Sequence, residues 1–275
     1  MTAPGVPLRR PALLAVTRAR VRVEFLVFIR ERISVVFTFF FPVLLLVVIG
    51  AIFHGQRLPG DVDLAQYFVA GMIGAGLFGV SFQNVAIAIP IERDIGTLKR
   101  LAGTPMPRSA YFVGKMAMVA FVALAQNVLL LGIGSAFFGL RLPGTADRWL
   151  TYLWVIALGI ASCTLLGIAA SGLVRNGRTA PAVMSPIAIV LQFISGVYFV
   201  FATLPTWMQT VAAIFPLKWI AQGMRSVFLP DGYQTQEPAE SWELDRVALV
   251  LAAWCVLGFL VAVRTFRWRG RTDDD

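Results

Sequence analysis

Seven ionisable side chains (Glu92, Arg93, Asp94, Lys99, Arg100, Arg108 and Lys115) crowd into one short run between the uncharged stretches Leu64–Ile91 and Met116–Leu140. A charge held in hydrocarbon costs about 2.5–3.5 kcal/mol even on the mild insertion scale, so this island is expected in water. The residue types suit ion pairing and docking rather than bond-making. Glu92 and Asp94 fall where a first helical turn would begin, and Lys99 and Arg100 come later, the order that a helix dipole favours. Ile91, Ile95, Leu98 and Leu101 recur at helical spacing, and Thr104-Pro105 with Met106-Pro107 stop the run. The spacing therefore predicts a short capped helix with one apolar edge. It is either a solvated loop helix or a surface offered to a partner.

The remaining chemistry is sparse. His54 has no second His or Cys near it, so a metal site is not expected. Cys163 and Cys255 both lie inside apolar runs and read as small core residues. No G-x-x-x-x-G-K-[ST] run is present, so the chain has no P-loop for a nucleotide. Gln83-Asn84, Gln126-Asn127, and Gln192 with Ser195 place uncharged polar groups inside apolar stretches. They either hydrogen-bond between helices or line a path for an amphipathic solute.

Positioning these groups is the task of a membrane fold. Of 275 residues, 58% are hydrophobic and 14% charged, with mean hydropathy +0.76; a soluble domain carries roughly 25% charged residues. The fold class expected is all-α integral membrane, a single domain over 1–275. Residues 1–32 read as an interfacial helix. Leu14, Val21, Phe25 and Phe28 share one face, Arg20 and Arg22 flank it, Arg18 intrudes on it, and the arginines turn to anionic headgroups. This segment does not read as a cleavable signal peptide. Six transmembrane helices are expected within 33–264, at Ile33–Phe53, Tyr67–Ile91, Ser109–Leu140, Leu150–Val174, Ala180 to about Phe201, and Arg246–Val263, followed by a tail at 265–275. Gly71, Ala75 and Gly79 form a small-residue stripe suited to close helix packing. Between spans five and six, Pro216 splits two pieces too short to cross, read as outer re-entrant or surface helices with Trp207 and Trp219 at the interface.

Six of the 24 Lys and Arg residues (Arg57, Arg141, Arg148, Lys218, Arg225 and Arg246) fall on one side of this topology and all others on the second. The positive-inside rule puts the island and both termini in the cytoplasm. Topology and lipid headgroups account for the basic excess of +9, and nucleic acid is not needed as a partner.

The run ERDIGTLKRLAGTP resembles the signature of the type-2 permeases of ATP-binding-cassette transporters, carried here by Glu92, Gly96, Thr97, Leu98, Leu101, Thr104 and Pro105. Ser195-Gly196, Leu204-Pro205, Trp207, Pro216-Leu217 and Arg225 resemble the stretch that follows the family's fifth span. Lys99 and Val200 depart from the pattern, where an acid and a proline are common. The resemblance implies a cytoplasmic coupling helix (Glu92, Arg93, Asp94, Gly96, Thr97, Leu98, Arg100, Leu101, Thr104, Pro105) that docks on a separate ATPase. It implies an outer gate at Leu204, Pro205, Trp207, Pro216 and Arg225. Gln83, Asn84, Gln126, Asn127, Gln192 and Ser195 are the candidate path residues. It further implies two ATPase copies carrying ATP and Mg, a second permease subunit, no cofactor on this chain, and a bacterial plasma membrane location. The function expected is export of a hydrophobic or amphipathic compound such as a drug, antibiotic or lipid. The alternatives are export of a polysaccharide or lipid-linked glycan, and a non-transporting anchor for an ATPase.

Overall fold

The computed structural model describes residues 13–53, 55–59, 62–104, 106–174 and 176–265; the expectations for His54, Pro105, Arg175, the first twelve residues and the tail lie outside them. Nearly everything described is helix, as the composition requires, since a chain in lipid must satisfy its backbone internally. Helices α1 (Leu13–Arg30) and α2 (Arg32–Phe53) meet at Glu31. A two-residue antiparallel ladder, β1 (Arg57–Leu58) with β2 (Val62–Asp63), then leads into α3 (Leu64–Phe78). Asp63 caps α3 through the Ala65 amide at 2.8 Å. A π-helical segment, Gly79–Gln83, joins α3 to α4 (Asn84–Asp94) without a break. This continuous stretch of 31 residues is about 46 Å long. It outruns a hydrocarbon core of about 30 Å, so it is longer than one crossing needs.

Helices α5 (Thr97–Ala102), α6 (Arg108–Phe137), α7 (Ala146–Ser171) and α8 (Ala180–Ile194) follow. After them come α9 (Thr206–Ile214), α10 (Pro216–Phe228) and α11 (Leu244–Thr265). Among the described residues, five stretches are long and apolar enough to cross a membrane: Arg32–Phe53, Leu64–Asp94, Ser109–Phe137, Ala146–Ser171 and Leu244–Arg264. The expected fifth span is shorter than the apolar run that suggested it. Helix α8 stops at Ile194 because Ser195 leaves the helical region and Gly196 turns at φ +74°. The chain then runs through buried non-helical backbone (195–197) that packs on protein, the setting in which such backbone is tolerated at membrane depth. Likewise α6 ends at Phe137 rather than Leu140: Gly139 turns at φ +62°, and the Leu140 and Phe138 amides both bond the Gly134 carbonyl.

The core sits where α3 and α10 cross between α7 and the 195–197 turn. Nearly every side chain of α3 from Ala65 and all of α10 are buried. The split at Pro216 is as expected: Phe215 is extended, and Pro216 opens α10 at its first position. Trp219 departs from its expected interfacial place. It is buried on α10 and donates its indole N–H to the Ala213 carbonyl at 2.7 Å. Helices α2 and α11 carry the exposed apolar residues expected of a lipid-facing surface, with only Leu46 and Gly50 buried on α2. Both cysteines are free, Cys163 within the core and Cys255 partly buried.

The small-residue stripe divides. A side chain at Gly71 would meet the Val197 backbone at 3.3 Å, a close approach of the kind expected, whereas nothing lies within 4 Å of one at Gly79. The close-packing positions of α3 are Gly71, Gly74 (against Ala221 backbone at 3.4 Å) and Gly76 (against Gln126).

Candidate functional site

The charged island is not one solvated helix. Glu92, Arg93 and Asp94 form the last turn of α4, not the first turn of a new helix, and Gly96 at φ +74° breaks the path before α5 begins. The acids thus sit at the unfavourable end of a helix dipole, and tertiary partners compensate them. Glu92 is held by the Lys115 ammonium and by the Tyr111 hydroxyl, which donates at 2.8 Å. Arg93 donates to the Val174 carbonyl, and Asp94 accepts the Gly177 amide at 2.5 Å. A side chain at Gly177 would strike the Ile91 backbone at 2.8 Å, so only glycine lets this loop approach α4.

Lys115 was expected in water and is instead 3% exposed. It lies on the second turn of α6, bridging Glu92 to Glu24 of α1 at 3.0 Å. Glu24 also pairs with Arg20 one turn earlier, and the Arg20 guanidinium lies 5.1 Å from the Tyr111 ring centre. Arg20 and Glu24 are the buried residues of α1. The expected packing of this helix is therefore corrected: the charged pair faces the protein, while Leu14 is exposed and Val21, Phe25 and Phe28 are half-buried. Two acids and two bases close on one another, so the cluster has no net charge. The available signal was the i, i+4 spacing of Arg20 and Glu24; nothing local marks Lys115 as their partner.

This cluster lines part of a partly open groove of about 580 Å³ between α2, the α3–π–α4 stretch and α6. Helix α6 gives Lys115, Met118 and Gln126 to it. Eleven residues are three turns, so Lys115 and Gln126 share a face about 16 Å apart. Helix α2 contributes Ser34, Phe37, Thr38 and Phe41, also at helical spacing. Gly79, Gln83 and Asn84 line the middle, where the π segment inserts its extra residue; such bulges recur at functional sites. Of the six path residues expected, the structure brings Gln83, Asn84, Gln126 and Gln192 together here. Gln83 donates to Ser185 at 3.2 Å, and the Tyr198 hydroxyl donates to Gln192 at 2.6 Å. Asn127 and Ser195 are buried away from the groove, with Asn127 donating to its own helix at Ala123.

Helix α5 presents the island's outward surface. Leu98 anchors it in the core, while Ile95, Arg100, Ala102, Gly103 and Thr104 are exposed and Thr97 and Leu101 lie half-buried. At the opposite end, the expected gate residues do not form one site. Trp207 and Pro205 are exposed on and before α9, and Leu204 is half-buried. Pro216 and Arg225 are buried in α10. Arg225 is fully enclosed, with Nε 2.7 Å from Glu237 and its guanidinium 5.1 Å from the centre of the Tyr67 ring, and it ties α10 to the loop before α11. It is a structural cation here.

Residues 16–229 match the family described as ABC-2 type transporter. The Arabidopsis thaliana protein "ABC transporter G family member 32" is 23% identical over 259 residues, covering 85% of this chain and 18% of that protein. The Escherichia coli K12 protein "Probable multidrug ABC transporter permease YbhR" is 24% identical over 150 residues, covering 53% of this chain and 39% of that protein. The chain thus spans less than half the length of both. With a match over most of its length and an all-α membrane architecture to carry it, the chain belongs to the ABC-2 type transporter family, as a multi-pass membrane permease.

Proposed function

We propose that this chain is the permease subunit of an ATP-driven exporter that moves a hydrophobic or amphipathic compound out of the cytoplasm or its adjacent leaflet. The observation that carries the reading is the groove: partly open, lined mostly by apolar surface, and fitted with uncharged polar groups beside the paired Glu24, Lys115 and Glu92. An apolar wall suits a solute that partitions into lipid, since the solute keeps apolar surroundings within it. Aromatic and aliphatic side chains (Phe37, Phe41, Leu45, Ile87) offer it area, and Asn84 and Gln126 offer it hydrogen bonds.

Power comes from a separate cytoplasmic ATPase, two copies against two permease subunits, with ATP and Mg bound there. The exposed turn around α5 is its docking surface. The last turn of α4 is tied by Glu92 to α6 and α1, and by Asp94 to the 174–177 loop. A push on α5 therefore reaches the groove's walls through ion pairs rather than through a flexible loop. The positive-inside count supports a cytoplasmic island and cytoplasmic termini in a bacterial plasma membrane. The test is co-purification with a co-expressed ABC ATPase, then ATP-dependent accumulation of a lipophilic dye in inside-out vesicles. Transport with ATP and none with a non-hydrolysable analogue is the expected result. Stable assembly without ATP-dependent movement of any amphiphile tried would leave only the anchor role.

A further inference from the structure

The Gln126 side chain is an unusual feature of the groove. It is 1% exposed, lines the cavity, and its Oε1 has no hydrogen-bond partner among the described residues. Elsewhere in the groove the polar groups are mostly engaged: Gln83 bonds Ser185, Gln192 bonds Tyr198, and Glu24, Glu92 and Lys115 bond one another. Gln126 thus has a deep, unpartnered Oε1 at the level of Gly76, whose lack of a side chain makes room for the Gln126 amide. A buried amide without a partner is unfavourable unless something else completes it. The charges of Arg20, Glu24, Glu92 and Lys115 cancel, and the remaining charged residue of the lining, Glu31, is exposed to solvent. Gly79 opens the groove's wall, since nothing lies within 4 Å of where its side chain would stand.

We infer that the groove binds an uncharged amphiphile, an apolar chain or ring system bearing one neutral hydrogen-bonding group, and that Gln126 reads that group. The apolar body lies along Phe37, Phe41 and Ile87, and Gly79 sets the width available to it. This rests on the groove being the substrate path. It adds a chemical class and a selecting residue: a carboxamide can donate to and accept from a neutral amide, carbamate or hydroxyl, and has no charge to offer an ion.

The test is direct binding to the permease in nanodiscs, which needs no ATPase and is therefore separate from the transport assay. Three radiolabelled probes are compared: dodecanamide, N,N-dimethyldodecanamide and dodecyltrimethylammonium. The wild type is expected to bind dodecanamide about five- to tenfold more tightly than its dimethyl analogue, the range of one net neutral hydrogen bond. Gln126→Leu should remove that ratio while retaining the dimethyl probe, a cycle in which differences in lipid partition cancel. Gly79→Phe should abolish binding of both amides with the protein still folded. Equal binding of the two amides by wild type, a ratio unchanged in Gln126→Leu, or tighter binding of the ammonium probe would each overturn the proposal. Absence of binding by all three probes would do the same. Loss of the permease dimer in Gly79→Phe would assign the groove to a protein contact instead, and so also overturn it.

Discussion

Lys115 shows how a single side chain is judged by its partners rather than its position. One turn into an apolar run, it draws Glu24 from α1 and Glu92 from α4 to itself. Removing one member of a buried pair leaves an uncompensated charge and costs about 3–5 kcal/mol, whereas removing all members together costs far less. Lys115→Met should therefore lower stability by about that amount, with the thermal midpoint in detergent falling clearly. Adding Glu92→Gln, which leaves the Arg20–Glu24 pair intact, should restore most of the loss. If the double variant is no better than the single one, the cluster is not the unit described. Lys218 makes the converse case at the opposite end. Burial pushes its ammonium down to about 8, against the pull of Glu243 upward; the Trp219 ring centre at 3.5 Å and Glu243 at 3.7 Å are its partners, with Arg225, Glu237 and Arg246 beyond. Between pH 8 and 10.5 the unfolded chain holds more of this proton than the folded one, so stability rises with pH through that window, and below it the burial penalty is fully present. Lys218→Met should be more stable than wild type at pH 7, and its advantage should shrink as the pH climbs from 8 towards 10. A gap that stays constant over that range would show that the ammonium is not the cause.

Among the elements, the α3–π–α4 stretch combines two uses of glycine that look alike in a linear sequence. At Gly71 a side chain would meet Val197 backbone, which cannot move aside cheaply, while at Gly79 there is open groove. Gly71→Leu is expected to lower expression and thermal stability. Gly79→Leu is expected to leave both within the ~0.5 kcal/mol usual for harmless substitutions while reducing transport of bulky compounds. Matching effects on stability at the two positions would remove the distinction. The same stretch explains why the island is not the single helix that its periodicity suggests. Periodicity through Ile91, Ile95, Leu98 and Leu101 suits one continuous helix, but the buried residue is Leu98, and Ile95 is exposed beside the left-handed turn at Gly96.

For the whole molecule, the proposed route from ATPase to groove runs through α5. Ile95→Glu and Arg100→Glu alter only exposed positions, so they should leave folding intact and weaken ATPase binding at least several-fold in co-purification at equal permease abundance. Glu92→Ala acts differently: with its carboxylate turned inward to Lys115 and Tyr111, it should lower stability first and impair coupling as a consequence. Gly96→Asn, which tolerates the left-handed region better than other side chains, should be milder than Gly96→Val. Wild-type binding and coupling in both the Ile95→Glu and Arg100→Glu variants would leave α5 a plain loop helix.

The order of the helices, the membrane setting, the short turn between two spans and the split at Pro216 were all legible in the sequence. Each depends on local terms: apolar run length against bilayer thickness, and proline or glycine where a helix must stop. Gln83, Asn84, Gln126 and Gln192 stand out for the same reason, because a polar group inside an apolar run is conspicuous, but that they line one groove was not legible. Pairing was not legible. That Arg20, Glu24, Glu92 and Lys115 converge, that Gly71 closes on Val197 while Gly79 opens a groove, and that Arg225 and Trp219 are interior all depend on contacts between distant segments. Helix periodicity says which residues share a face, but not which face meets which. Only the tertiary structure decided that, because burying a charge depends on where its counter-charge lies in space rather than on its neighbours along the chain.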